Sequence, residues 1–259
     1  MFPIRDENPS FLTPYATYAI IALNALAWIL IQGAGTQPML ARSICSLGLI
    51  PGELLHLVPA GTSFQVGPRS VCVLGDRSAW YTPLTSMFLH GGWLHIVGNM
   101  WFLWIFGNNV EDAMGWKRFC VFYVLCGLVA ATLQVITSPS SAVPMIGASG
   151  AIGGVMGAYI MLYPRVHVQM LLILGFYVTT IAVPAVLMLG YWFAVQLLSG
   201  LGSLGAPGGG VAFWAHVGGF VSGAALVLLF KDPRLLARHP YHGWSRRPGP
   251  SRSWRRIGR

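Results

Sequence analysis

The sequence predicts an all-α membrane protein: a bundle of six transmembrane helices with a long extracytoplasmic loop after the first. Three observations predict it. Hydrophobic residues make up 55% of the 259 and charged residues only 9%, whereas a soluble domain carries about 25% charged residues. Apolar runs near the length a helix needs to cross a bilayer, about 20 residues, recur along the chain. The formal charge of +9 is gathered at one end, where residues 231–259 hold nine Lys/Arg against one acid, Asp232. Beside a membrane helix, such a tail reads as a segment facing anionic lipid headgroups, and no nucleic-acid partner is expected.

Residues 1–13 form a short lead containing Arg5, Asp6 and Glu7. Pro14–Ile31 is the first span. Gly33-Ala34-Gly35 after it could mark a signal-peptide cleavage site, but the run is long for that purpose, the lead is not strongly basic, and more spans follow. A retained helix is the better reading. Residues 33–92 are a long loop punctuated by Pro51-Gly52 and Gly67-Pro68, with an amphipathic stretch at Leu54–Val58 suited to the membrane interface. Trp93–Val110 is the second span, and Trp93, Trp101 and Trp104 suit interfacial or lipid-facing positions. Arg118–Thr137 holds the third and Ala142–Tyr163 the fourth. Gln169–Leu198 reads as a long fifth helix kinked or cut short at Pro184. Val211–Phe230 is the sixth. The membrane domain is thus 14–230, and the tail 231–259 is expected to be disordered.

Charge orients the spans. With the N-terminus cytoplasmic, the cytoplasmic segments carry thirteen Lys/Arg against three on the other side, which favours both termini inside. In the absence of a transit-like lead, a bacterial inner membrane is the expected location. The second, fourth and sixth spans then all start in the outer leaflet.

The fourth span is unlike the others. No charged residue lies between Ala142 and Tyr163, yet its first third holds Pro144, Gly147 and Gly150, which suit irregular backbone. A helix from Ser149 to Tyr163 covers about 22 Å of a hydrocarbon core about 30 Å thick. Its N-terminus is therefore sunk below the surface, where irregular backbone is tolerated only if protein buries it or water reaches it. Ser149 opens that helix. His95 and Asn99 lie i, i+4 near the outer end of the second span and share a face. His216 is about 9 Å into the sixth.

Taken one at a time, these have bland readings: a packing surface for Gly-Ala-Ser-Gly, a structural histidine, an interhelical hydrogen-bond pair. Four costly polar residues at one depth point to one site. Ser149 supplies a nucleophile and His216 a base. His95, Asn99 and the free amides at Ser149 supply donors for an oxyanion. No Asp or Glu lies in the fourth or sixth span, so a Ser–His dyad is simpler than a triad. Gly150, Gly153, Gly154 and Gly157 on one helix and Gly218, Gly219 and Gly223 on the other allow close packing of the two. His90, just before the second span, reads as a loop brace. No zinc motif His-Glu-x-x-His is present and no pair of intramembrane aspartates, so neither a metal nor a cofactor is expected. Cys45 and Cys72 share the first loop and are predicted to form a disulfide on an oxidising side, whereas Cys120 and Cys126 read as apolar filler.

Gly147-Ala148-Ser149-Gly150, His95-x3-Asn99 with His90 five residues earlier, and Ala215-His216-x-Gly218-Gly219 together resemble the rhomboid family of intramembrane serine proteases. Asn109-Val110-Glu111-Asp112 adds to the likeness, which runs over residues 14–230. The resemblance implies Ser149 as nucleophile and His216 as general base, with His95, Asn99 and the Ser149 amide as the oxyanion site. It implies single-span membrane-protein substrates cut in or near the bilayer, with no metal or organic cofactor, and water reaching the serine from the outer face past a mobile fifth span. Two positions depart from the family pattern. Trp80 is followed by Tyr81 rather than arginine, and Gly153 stands where an aromatic commonly packs on the histidine. The competing readings are a rhomboid-like protein that binds membrane clients without cutting them, and a transporter or channel. The first usually lacks the serine or the histidine. Against the second stand spans without charges and the lack of an inverted repeat.

Overall fold

The structure is a computed structural model describing residues 2–67, 70–75, 79–203 and 211–239. The helices are α1 (Tyr15–Leu26), α2 (Met39–Leu47), α3 (Pro51–Leu54), α4 (Thr82–Thr85), α5 (Trp93–Met114), α6 (Trp116–Thr137), α7 (Ser149–Leu162), α8 (Ala185–Gly202), α9 (Phe213–Phe230) and α10 (Pro233–Leu236). The strands are β1 (Phe2–Asp6), β2 (Ser63–Gly67), β3 (Ser70–Val73), β4 (His167–Leu174) and β5 (Tyr177–Pro184). Helices α6, α8 and α9 are each long and apolar enough to cross a membrane, and α1 and α7 are shorter apolar helices.

Helix α7 is the centre. It has no polar face, and every residue from Gly150 to Tyr159 is buried, as expected of a helix apolar all round. Helices α5, α6, α8 and α9 pack against it. The contact with α9 is backbone to backbone: a Cβ at Gly219 would strike the Gly150 carbonyl, and one at Gly223 the Gly154 carbonyl. Large apolar side chains point outward from the surrounding helices, among them Leu94, Ile136, Leu187, Leu198 and Leu229. Exposed apolar surface on this scale is a face for lipid.

The predicted fifth helix is a correction. Residues 167–184 form the antiparallel hairpin β4–β5, and α8 begins only at Ala185, with Pro184 as its N-cap. The local chemistry explains it. Val178, Thr179, Thr180, Ile181 and Val183 are β-branched and favour strand. Gly175 has φ +61 and opens a two-residue turn at Gly175-Phe176, which joins the paired Leu174 and Tyr177. Strand β4 also pairs with β1, making a sheet of order β1-β4-β5. The N-terminal lead is thus a strand. Helix α5 runs past the expected Val110 to Met114, because Glu111 and Asp112 are buried with backbone partners rather than solvated.

The first loop is structured. It contains α2 to α4 and the hairpin β2–β3, and a disulfide joins Cys45 on α2 to Cys72 on β3. At the position that departs from the family pattern, the Tyr81 hydroxyl donates to the Ser46 carbonyl at 3.2 Å, while Trp80 is 76% exposed. At the other end of the chain, α10 orders the start of the basic tail. The rest of the tail expected to be disordered, 240–259, lies outside the described residues.

Candidate active site

The irregular backbone ahead of α7 is fixed by the first loop. Leu49 and Met145 exchange both backbone hydrogen bonds, and the Gly147 amide donates to the Ser86 carbonyl at 2.9 Å. Gly147 has φ +126, a conformation suited to glycine. The chain then turns into α7 at Ser149. The first amides of α7 have no intrahelical carbonyl to bond, and no side chain caps them.

Ser149 Oγ lies 2.8 Å from His216 Nε2. This approach depends on the glycine contact between α7 and α9, since a serine side chain reaches only a short way from its axis. The pair lines a cavity of about 470 Å³, together with His95, Met145, Gly147, Gly150, Ala215 and residues of α6. A water-sized or larger group can enter it.

His95 faces the same space. The Gly91 amide donates to His95 Nδ1 at 3.2 Å, which makes Nδ1 the acceptor and places the ring proton of the neutral imidazole on Nε2. A Cβ built on Gly147 would lie 2.7 Å from that Nε2 and 3.6 Å from Ser149 Oγ. Both groups therefore flank one small space, and glycine at 147 keeps it open. Asn99 is buried one turn deeper on α5, with no protein partner for its Nδ2; it does not line the cavity. His90 is fully buried behind His95, with ring centroids 5.1 Å apart. Its backbone does the bracing: Gln32 Oε1 accepts from the His90 amide and Gln32 Nε2 donates to the His90 carbonyl, each at 2.8 Å. Burial, and then the neighbouring His95, push the His90 imidazole down to about 3.

Two site residues escape the sequence reading. Gln196 Oε1 is 2.7 Å from His216 Nδ1, and the Trp192 ring lies 5.7 Å from the His216 ring. Both come from α8, i and i+4. Trp192 occupies the side left open by Gly153, whose built Cβ would be 3.8 Å from the indole. The clue was available. Gln196 is the only strongly polar side chain between Ala185 and Leu198, and a polar residue there needs a partner.

Helices with lipid-facing apolar surfaces, packed around a half-buried serine–histidine hydrogen bond at a mostly apolar cavity, define an integral membrane protein. The chain belongs to the rhomboid family: residues 77–232, more than half its length, match the Rhomboid domain. It is 30% identical to the rhomboid protease GluP of Bacillus subtilis over 83% of this chain and 35% of that protein. It is 37% identical to Rhomboid-like protein 11, chloroplastic, of Arabidopsis thaliana over 35% of this chain and 32% of that protein. With RHOMBOID-like protein 1 of the same plant it shares 27% identity over 93% of this chain and 57% of that protein. The chain therefore spans only about a third of the first two relatives.

Proposed function

We propose that this chain is an intramembrane serine endopeptidase that cleaves transmembrane segments of membrane proteins with Ser149 as nucleophile and His216 as general base. The observation that carries the reading is the 2.8 Å contact between the Ser149 hydroxyl and His216 Nε2, made between two helices in the lining of a cavity. In this reading Nε2 takes the hydroxyl proton as Oγ attacks the substrate carbonyl. The developing oxyanion is met by His95 Nε2–H and the free amides of α7, with Asn99 Nδ2 as a further donor. His216 then protonates the leaving amine, and a water activated by the same imidazole releases the acyl group. Gly147 keeps the oxyanion space open, Gly150 and Gly219 bring the two helices together, and the backbone of His90, held by Gln32, braces the loop behind His95. The mechanism needs no metal or organic cofactor.

Six spans and a bacterial inner membrane complete the proposal, with both termini cytoplasmic and the basic tail beside anionic headgroups. The meeting of the two described termini at the C-terminal end of α5 supports the shared side: Asn109 Nδ2 donates to the Asn8 carbonyl and the Asp232 amide to the Ala113 carbonyl. The Cys45–Cys72 disulfide supports an oxidising side for the first loop.

The test is purified protein in liposomes with a transmembrane peptide reporter. Cleavage is expected for wild type and abolished in both Ser149→Ala and His216→Ala. Equal cleavage by wild type and Ser149→Ala removes the mechanism, and binding without cleavage by wild type makes the chain a client-binding protein.

A further inference from the structure

We infer that Gln196 is a positioning residue for His216: its side-chain carbonyl accepts the Nδ1 proton and so keeps the Nε2 lone pair aimed at Ser149. The inference rests on the reading of Ser149 and His216 as nucleophile and base. A neutral imidazole carries one proton, and the partner of one nitrogen decides which nitrogen holds it. Gln196 Oε1 stands 2.7 Å from Nδ1 and Ser149 Oγ 2.8 Å from Nε2, on opposite sides of the ring. With Nδ1–H donating to Gln196, Nε2 is free to accept from the serine hydroxyl. The reverse arrangement, with the Gln196 amide nitrogen donating to Nδ1, would put the proton on Nε2 and leave Ser149 without a base.

The surroundings make Gln196 suited to this part. It is 9% exposed, so water competes little for Nδ1. Trp192, one turn earlier on α8, lies against both the His216 and the Phe220 rings and limits rotation of the imidazole. Among the described residues, the other elements offer His216 no carboxylate. Helix α5 presents His95 and α7 presents Ser149, while on α6 neutral Gln134 accepts from the adjacent Ala215 amide and Cys126, about two turns away, packs against Gly154. A neutral amide therefore fills the place that a carboxylate takes in a Ser-His-Asp triad. It orients the ring and stabilises the imidazolium with a dipole rather than a full charge.

The experiment compares Gln196→Leu and Gln196→Glu with wild type in liposomes, using the transmembrane reporter from pH 5 to 9. Gln196→Leu is expected to lower kcat on the order of tenfold or more while KM changes little. Its acid limb should move to lower pH, because the imidazolium has lost its acceptor. Gln196→Glu should restore most of kcat and move the acid limb up by about one unit or more, through a carboxylate beside Nδ1. Gln196→Leu within twofold of wild type, or an unmoved acid limb in Gln196→Glu, overturns the inference. A measurement on the wild type guards against misfolded variants. In histidine-¹⁵N-labelled protein, with the His216 signals assigned by difference against His216→Ala, Nδ1 should be the protonated nitrogen. Protonated Nε2 overturns the inference. This readout needs no turnover, so it separates failure of the Gln196 contact from failure of the protease reading.

Discussion

The two ends of the bundle use polar residues in opposite ways. At the C-terminal end of α5, Glu111 is 1% exposed and its carboxylate accepts from the Ala16 and Thr17 amides and the Thr17 hydroxyl at 2.8–2.9 Å. Asp112 accepts from the Phe11 and Leu12 amides, and the Tyr163 hydroxyl donates to the Asn109 carbonyl. Glu111 thus caps α1 from another helix, where a negative charge meets free amides and the positive end of the dipole. At the opposite end, Asn99 Nδ2 and both ring nitrogens of His90 are buried without a protein partner, and the first amides of α7 are uncapped. The first end pins helix termini with carboxylates, although the Asn8 side-chain amide and Asn109 Oδ1 are buried there without a partner. At the other end the uncapped first residues of α7 and His95 border the cavity while Asn99 and His90 lie off its lining, and each buried polar atom without a partner costs stability.

The largest effect expected from breaking this division is at the α7–α9 contact, on which both ends depend. Gly219→Val places side-chain carbon on the Gly150 carbonyl, and backbone cannot yield as a side chain does. Folding and cleavage should be lost together, read as aggregation on size exclusion in detergent. Next is Glu111→Ala, which strands three donors in a buried place at a cost of about 3–5 kcal/mol, or roughly 10 °C in thermal midpoint. Cleavage per folded molecule should stay within about twofold of wild type, since Glu111 serves the other end. A large loss of kcat with a normal midpoint would show the two ends to be coupled. Gly147→Ala should behave the opposite way. The strained φ of +126 and the 2.7 Å approach to His95 Nε2 act locally, so the midpoint should fall by only about 1–2 kcal/mol equivalent and kcat by about tenfold or more.

How much of this was legible follows the same division. Ser149, His216 and His95 could be found because they are rare polar residues at calculable depth in apolar runs, and the structure brings them around one cavity. Asn99 shares the helix face of His95 yet is not among the residues that line the cavity, since i, i+4 spacing fixes a face but not how far a short side chain reaches. The hairpin at 167–184 resembles a helix in sequence because its residues are as apolar as a span, and hydropathy masks the β-branched run and the Gly175 turn. The pairing of β4 with a lead a hundred and sixty residues earlier has no local signature. Gln196 is hidden for a different reason: a third group is expected as a carboxylate on the serine or histidine helix, whereas the group beside His216 Nδ1 is an amide on α8. The capping part of Glu111 was likewise hidden, since a carboxylate in sequence looks like the end of a helix.

The smallest effect separates the two ends by pH. Burial pushes the Asp6 carboxyl, which accepts from the Tyr159 hydroxyl at 2.6 Å, up to about 6 from the usual 3.8. The folded state then holds its proton more tightly than the unfolded one, so this contribution to stability is full below about pH 4 and is lost as pH rises through about 6. His90 runs the other way. Its imidazole, held down to about 3 by burial and then by His95, favours the neutral form in the fold, so its contribution is present above about pH 6.5 and drains away as pH falls toward 3. In detergent, Asp6→Asn should raise the thermal midpoint above pH 6 and leave it unchanged at pH 4. His90→Asn should flatten the acid-side fall and do little at pH 8 to the slope with pH. Each change should amount to about 2–4 °C. If both variants alter the same side of the profile, the two ends do not titrate independently, and the division between a fixed end and a receptive end fails at its most sensitive point.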